Sequence, residues 1–136
     1  MAPYEIHDAP VAGTMPMRRD TFLAMRRGAA RHCPSCGQGR LYRSYLRQVD
    51  RCAVCHEDLG HVRADDGPAW LTILIVGHLI VAMVLAIDGW AGWPLWVSMT
   101  VYPLAAMAMA LALLPSAKGV FIGAIWAGEG RQATAE

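Results

Sequence analysis

Four cysteines carry the clearest chemistry in the sequence, and they fall into two pairs with the same internal spacing. Cys33-Pro34-Ser35-Cys36 is followed, after fifteen residues, by Cys52-Ala53-Val54-Cys55. Two C-x-x-C pairs at this separation are typical of zinc ribbons, in which two turns each aim two thiolates at one cation. The spacing therefore predicts a tetrahedral Zn²⁺ site with four ligands: Cys33, Cys36, Cys52 and Cys55. Four thiolates could also hold iron, which the sequence does not distinguish from zinc.

The residues around the cysteines favour a structural metal over a redox or catalytic site. Four thiolates fill the coordination sphere and leave no position for water or substrate. Two disulfides would require an oxidising compartment, and a thioredoxin-like pair would require a surrounding βαβ pattern that is absent. The segment from Leu41 to Val49 alternates enough to predict the connecting strand of a ribbon. One alternative stays open, namely that a nearby histidine replaces a cysteine as ligand: His32, His56 or His61.

Two apolar segments must position this module. Apolar residues make up 55% of the 136 residues and charged residues only 17%, and from Trp70 to Leu114 the only formally charged residue is Asp88. Trp70–Ile87 and Leu95–Leu114 are each long enough, at about 1.5 Å per helical residue, to cross a hydrocarbon core of about 30 Å. The fold class predicted is a small four-cysteine zinc ribbon followed by an all-α transmembrane hairpin of two helices.

The basic residues predict the orientation of this hairpin. Ten of the twelve Lys and Arg lie between Arg18 and Arg63, and the Trp-rich loop between the two spans has none. The positive-inside rule therefore places both termini in the cytosol. The basic residues flanking Phe22–Met25 fit either an interfacial helix on anionic lipid or a plain topology signal. A net charge of +1 gives no support for nucleic-acid binding.

Prolines and composition set the predicted boundaries. Residues 1–20 are expected to be a disordered tail without a signal peptide, and 21–64 form the basic segment and zinc ribbon. Residues 65–114 form the hairpin, with Pro68 at the start of the first helix, a kink at Pro103 and Pro115 ending the second helix. Residues 115–136 are expected to be an interfacial segment, Lys118–Trp126, and a disordered tail from Gly128.

A few residues in and beside the spans are candidates for partner contacts. His78 is a costly polar residue inside the first span, and Gly77 beside it allows close helix approach. The expected role of His78 is a hydrogen bond within the hairpin or to a partner helix, with haem or copper ligation as the alternative. Asp65, Asp66 and Lys118 lie at the cytosolic boundary and are expected either to close the hairpin base with a salt bridge or to remain solvated.

Several of these segments together resemble a bacterial family catalogued as domain of unknown function 983. The resemblance lies in Arg27-Gly28, the two C-x-x-C segments, Asp65–Trp70, Gly77-His78 and Leu113–Ala127. His56 departs from the family pattern, which usually has glycine after the second cysteine pair. The family implies a zinc-ribbon protein of the bacterial inner membrane with no established activity. In some bacteria, members of this family are commonly encoded beside subunits and assembly factors of haem–copper cytochrome oxidase.

These observations lead to two functional hypotheses. The first is a non-enzymatic, multi-pass membrane accessory or assembly factor, which the resemblance extends to cytochrome oxidase and its assembly factors as partners. The second is a membrane-bound protein that handles metal or senses thiol redox state. No acid–base pair lies in the spans, so no enzymatic activity is expected. Two helices leave much of their surface uncovered, which predicts a homo-oligomer or a larger membrane complex.

Overall fold

The computed structural model of the chain describes residues 19–132, which form three helices joined by an irregular module. The first helix, α1, spans Thr21–Ala29, and the Asp20 side chain caps it by accepting hydrogen bonds from the N–H groups of Phe22 and Leu23. At its end, His32 N–H donates to the Arg27 carbonyl and Arg31 N–H to the Gly28 carbonyl. This is a Schellman ending, with Arg31 in the left-handed position at φ 65°. The predicted tail over residues 1–18 lies outside the described residues.

The four-cysteine module lies between α1 and the first long helix. The described residues contain no β-strand, and only three isolated antiparallel bridges connect the module: His32 with Arg40, Tyr42 with Gln48, and Arg51 with Asp58. The prediction of a connecting strand over Leu41–Val49 is therefore wrong. The Tyr42–Gln48 bridge is interrupted within a few residues by a tight turn, in which Arg47 N–H donates to the Ser44 carbonyl. This turn leaves too few residues for a ladder.

Two long apolar helices follow and pack as an antiparallel hairpin. Helix α2 spans Gly67–Ala91 and helix α3 spans Leu95–Gln132, separated by Gly92 in the left-handed conformation at φ 55° and two further residues. Both are long and apolar enough to cross a membrane. One stripe of α2, formed by Pro68, Thr72 and Val76, is buried. Most of the remaining α2 surface is exposed, including Trp70 and Trp90.

Helix α3 continues through Pro115, so the prediction that this proline ends the helix is wrong. A proline inside a helix removes one N–H donor and leaves the carbonyl four residues earlier without its partner. That carbonyl belongs to Leu111, and the hydroxyl of Tyr45 in the cysteine module donates to it. The Tyr42 hydroxyl donates to the Pro115 carbonyl at 2.9 Å. A donor from outside the helix therefore satisfies the carbonyl that Pro115 leaves without its partner.

The end of α3 belongs to the same core as the cysteine module. Gly28 and Ala24 of α1 meet Gly119 and Gly123 of α3 so closely that a Cβ at Gly119 would overlap the Gly28 carbonyl. One hydrophobic core contains residues of all these segments: Ala24, Cys33, Leu41, Cys52, Leu59, Val62, Ile122 and Trp126. The predicted boundary at residue 114 therefore falls within a continuous helix, and the part of α3 after Pro115 packs against α1 and the cysteine module. The predicted disordered tail is helical as far as Gln132.

Candidate metal centre

The four cysteine sulfurs form a compact cluster with the dimensions of a tetrahedral metal site. All four Sγ atoms lie within 4.8 Å of one another. The Cys33–Cys55 sulfur distance is 3.7 Å and the Cys36–Cys52 distance is 3.8 Å. A tetrahedron with metal–sulfur bonds of about 2.3 Å has sulfur–sulfur edges of about 3.8 Å. The predicted residues are thus brought together at distances that fit one metal ion, and no disulfide joins them.

The first cysteine turn is shaped by a glycine and by an arginine. Gly37 adopts φ 73°, and its N–H donates to the Cys33 carbonyl at 2.8 Å. This turn aims the Gln38 N–H at the Cys36 sulfur, at 3.5 Å. The Arg27 guanidinium donates to the Pro34 and Ser35 carbonyls, at 3.2 and 2.6 Å. Helix α1 therefore holds the backbone of the first cysteine pair in place.

The second cysteine turn repeats this geometry without a glycine. His56 N–H donates to the Cys52 carbonyl at 3.0 Å, and His56 adopts φ 59°. A non-glycine residue in the left-handed region costs about 1–2 kcal/mol, so this turn is strained. His56 is exposed, and the metal-capable cluster among the described residues contains cysteines only. The described geometry gives no support to the alternative in which His32, His56 or His61 replaces a cysteine.

Close contact between the two turns depends on a second glycine. A Cβ at Gly39 would collide with the Cys52 sulfur, because the backbone after the first turn runs directly beside the second cysteine pair. Cys33 and Cys52 are buried as part of the core, whereas Cys36 is half-buried and Cys55 is exposed. The cluster therefore sits at the edge of the module. The first cysteine of each C-x-x-C pair lies inside, and the second lies toward solvent.

The thiols differ in how readily they ionise. Burial raises the pKa of Cys33 well above its ordinary value, and burial also raises that of Cys55. Burial acts against ionisation of Cys36 too, but the N–H groups of Gly39 and Gln38 and the neighbouring thiols lower its pKa to about 6. A cation is the group that would allow all four sulfurs to be thiolates at neutral pH, because each then gains a direct opposite charge.

The candidate partner residue His78 makes one of the predicted hydrogen bonds. Its Nδ1–H donates to the Leu74 carbonyl at 2.7 Å, one helical turn earlier. The imidazole is exposed on α2, and a shallow apolar groove runs beside it, lined by Ile73, Gly77 and Val81. A Cβ at Gly77 would meet no atom within 4 Å. Gly77 and His78 therefore face away from α3 and do not pack the hairpin on itself.

The candidates at the hairpin base do not form the predicted ion pair. Asp65 and Asp66 are exposed, and Asp66 makes no capping hydrogen bond with its side chain although it precedes α2. Lys118 donates to the Leu46 carbonyl at 3.0 Å, so its ammonium binds the cysteine module. No salt bridge between Lys118 and either aspartate occurs in the described part of the chain.

Two polar clusters were not anticipated from the sequence. Arg19 stacks over the Trp126 ring at 4.2 Å, and Trp126 Nε1–H donates to Glu57 at 2.8 Å, which ties α1, α3 and the second cysteine turn together. Near the hairpin loop, Tyr102 and Ser98 donate to the Asp88 carboxylate at 2.7 and 3.2 Å. The sequence contained a signal for the Asp88 cluster, because Asp88 is the only formally charged residue from Trp70 to Leu114 and a charge at such a position requires a partner. The Arg19 cluster joins residues 107 positions apart, which no local pattern reveals.

Comparison with known proteins places the chain in a family without an assigned activity. No curated protein and no solved structure matches it. A family described as "Protein of unknown function (DUF983)" matches residues 42–126, which include Cys52, Cys55, Asp65, Asp66, Gly77, His78 and Lys118. The match begins after Cys33 and Cys36, so it is narrower than the resemblance seen in the sequence. It covers more than half of the chain, which therefore belongs to the DUF983 family.

Proposed function

We propose that this protein is a non-enzymatic membrane accessory factor in which a metal-locked module forms a rigid platform on a transmembrane hairpin. The observation that carries the proposal is the shared core: Cys33 and Cys52 pack in one cluster with Ile122 and Trp126 of α3. The four-sulfur site therefore fixes the base of the hairpin as well as its own loops. A closed four-thiolate site supplies folding energy and no open coordination position, which suits a platform.

Lipid is the proposed solvent of the two helices. Only 6% of the most apolar window of α2 and 11% of that of α3 are buried within the chain. Water-exposed apolar surface of this extent is unfavourable, at about 25 cal/mol per Å². A bacterial inner membrane with both termini cytosolic is the proposed location, since it places the basic module inside and the cysteines in a reducing compartment.

Zinc is the proposed metal. The sulfur–sulfur distances of 3.7 and 3.8 Å fit the tetrahedral thiolate geometry that zinc prefers in structural sites. Iron would fit the same ligands, so elemental analysis of protein purified from membranes decides between them. One zinc per chain supports the proposal, and one iron per chain with the absorption bands of a ferric thiolate contradicts it.

A partner helix is proposed to lie on the groove beside His78, in a homo-oligomer or a larger complex. The Nδ1–H of His78 is already bonded to Leu74, so Nε2 is left as an acceptor toward the groove. Cytochrome oxidase or its assembly factors are the proposed larger complex, on the family association alone. The test is co-purification of a tagged chain with Gly77→Leu, which fills the groove, against Gly89→Leu, which also adds a side chain in open space.

The expected result is recovery of oxidase components with the wild type and Gly89→Leu, and their loss with Gly77→Leu. Recovery of the same partners with both variants would contradict the role of the groove. Normal oxidase activity in a deletion strain, with no oxidase component recovered, would contradict the assembly role.

Thiol or metal handling is the second candidate, and the half-buried Cys36, whose pKa is lowered to about 6 by neighbouring N–H groups and thiols, favours it. A low-pKa thiol that solvent can reach is a feature of reactive cysteines. Rapid loss of metal to a chelator, or reversible oxidation of the cysteines in membranes, would support this role. Metal that stays bound at 1:1 stoichiometry through prolonged chelation would exclude it in favour of the platform.

A further inference from the structure

A cationic cavity opens on the surface of the cysteine module, away from the four sulfurs. Its volume is about 400 Å³. Its polar lining contains three arginines, an imidazole and three hydroxyl-bearing side chains, and no carboxylate: Arg31, His32, Arg40, Tyr42, Arg43, Ser44 and Tyr45. A cavity of one charge sign concentrates counter-ions, and arginine forks match the oxygens of phosphate.

The arginines of this cavity differ from those that hold the fold together. Arg19 and Arg27 donate to carbonyls and a carboxylate inside the protein. Arg31, Arg40 and Arg43 are exposed, and none of them forms an ion pair with a carboxylate within the described residues. Arg31 also occupies the left-handed position that ends α1, where glycine would be less strained. The guanidinium groups of Arg40 and Arg43 are therefore available to an anion from outside the chain, and Arg31 has N–H groups beyond the one that donates to the Ala112 carbonyl.

The cavity lies beside the point where α3 leaves the apolar span. Tyr45 donates to the Leu111 carbonyl, and Arg31 donates to the Ala112 carbonyl at 3.4 Å. From Leu95, where α3 begins, to this level is about 17 residues, or about 26 Å of helix. This distance is close to the thickness of the hydrocarbon core, about 30 Å. In the proposed membrane position, the cavity therefore opens at the depth of the lipid headgroups.

We propose that this cavity binds the phosphate of an anionic glycerophospholipid, through Arg40 and Arg43 with Arg31 at its rim. The Ser44 hydroxyl offers a hydrogen bond to a headgroup oxygen, and the acyl chains continue along the exposed face of α3. The proposal rests on the membrane position given above. It goes beyond a general basic surface, because it assigns lipid binding to one cavity and not to the arginines of α1.

The test uses the full, metal-loaded chain in nanodiscs of phosphatidylcholine, titrated with phosphatidylglycerol and read by native mass spectrometry as lipid retained per chain. We compare Arg40→Gln/Arg43→Gln with Arg26→Gln/Arg51→Gln, which removes two exposed charges outside the cavity. About fivefold per arginine near an anionic surface predicts about 25-fold weaker retention for the cavity variant. The control variant is expected to retain the lipid as the wild type does.

Three further readouts keep the outcomes distinct. Metal content and insertion into phosphatidylcholine nanodiscs must be unchanged in Arg40→Gln/Arg43→Gln, and failed insertion of the wild type would overturn the membrane position itself. Competition by glycerol 3-phosphate supports headgroup recognition. Equal loss of lipid in both double variants would overturn the proposal in favour of general surface charge. Binding of inorganic phosphate without any preference for phosphatidylglycerol would overturn it in favour of a soluble anion.

Discussion

Gly119→Ala tests the contact that joins α1 to α3, and hence the claim that module and hairpin share one core. The added Cβ would overlap the Gly28 carbonyl, which is backbone and cannot rotate away. Relief requires α1 and α3 to separate, and a gap of 0.5–1 Å already loses roughly a quarter to a half of each van der Waals contact across it. Overpacking of this kind costs about 1–3 kcal/mol.

The matched control is Gly128→Ala, in the same helix. A Cβ at Gly128 would meet no atom within 4 Å, so this change adds the same methyl group in open space. Both variants gain up to about 1 kcal/mol of helix propensity. The difference between the two therefore isolates the overlap, at about 1–3 kcal/mol in favour of Gly128→Ala.

The assay is thermal unfolding in detergent, followed by labelling of the cysteines with a thiol-reactive dye. Cys33 and Cys52 are buried in the native protein, so their labelling reports opening of the shared core. Gly119→Ala is expected to label at a temperature several degrees below that of Gly128→Ala, since 1 kcal/mol shifts the midpoint by about 4–8 °C in a domain of about 60–100 residues and by about 2–4 °C in one of about 150–250 residues. Equal midpoints for the two variants would refute the close packing of α1 on α3.

Four further predictions concern the metal site and its connection to α3. Cys33→Ser should lose metal and the protease resistance of the module, because metal binding supplies folding energy; retained zinc and resistance would contradict this. Tyr45→Phe should destabilise the protein by about 0.5–1.5 kcal/mol, because the Leu111 carbonyl loses its donor, whereas Tyr102→Phe, near the hairpin loop, should leave metal retention unchanged. His56→Gly should stabilise by about 0.5–1 kcal/mol, the relief of left-handed strain less the added unfolded-state entropy; a loss of stability would give His56 another role. Zinc loading at pH 7 should release at least two protons per ion, because the raised pKa values keep Cys33 and Cys55 protonated in the metal-free protein, and metal affinity should therefore fall with acid; calorimetry in two buffers measures the number, and no release would contradict thiolate binding.

The four-cysteine cluster and the existence of the two long helices could be predicted because their signals are local. C-x-x-C spacing and uncharged apolar runs are each contained in a short segment. Gly37, directly after the first cysteine pair, is likewise a local signal, because glycine adopts the left-handed conformation most readily, and it stands at φ 73°. Such features are determined by residues that are close together along the chain, and they can therefore be predicted from the sequence.

The errors arose where a distant residue reverses a local preference. A proline inside a helix usually kinks or breaks it. At Pro115 the helix continues, and Tyr45, far away in the sequence, supplies the donor that the Leu111 carbonyl lacks. The segment after Pro115 packs against α1 through Gly119 and Gly123, a contact that its local sequence does not display. The prediction of a strand over Leu41–Val49 is wrong because these residues include a tight turn at Ser44, which leaves too few residues for a β-ladder.

The central claim is that four cysteine sulfurs hold one metal ion that joins the module to the hairpin. X-ray absorption at the metal edge, on full-length protein purified from membranes, tests it most directly. The expected result is one zinc per chain with four sulfur neighbours at about 2.3 Å and no nitrogen or oxygen neighbour. A spectrum with fewer than four sulfurs, or cysteines found paired as disulfides in protein kept under reducing conditions, would contradict it.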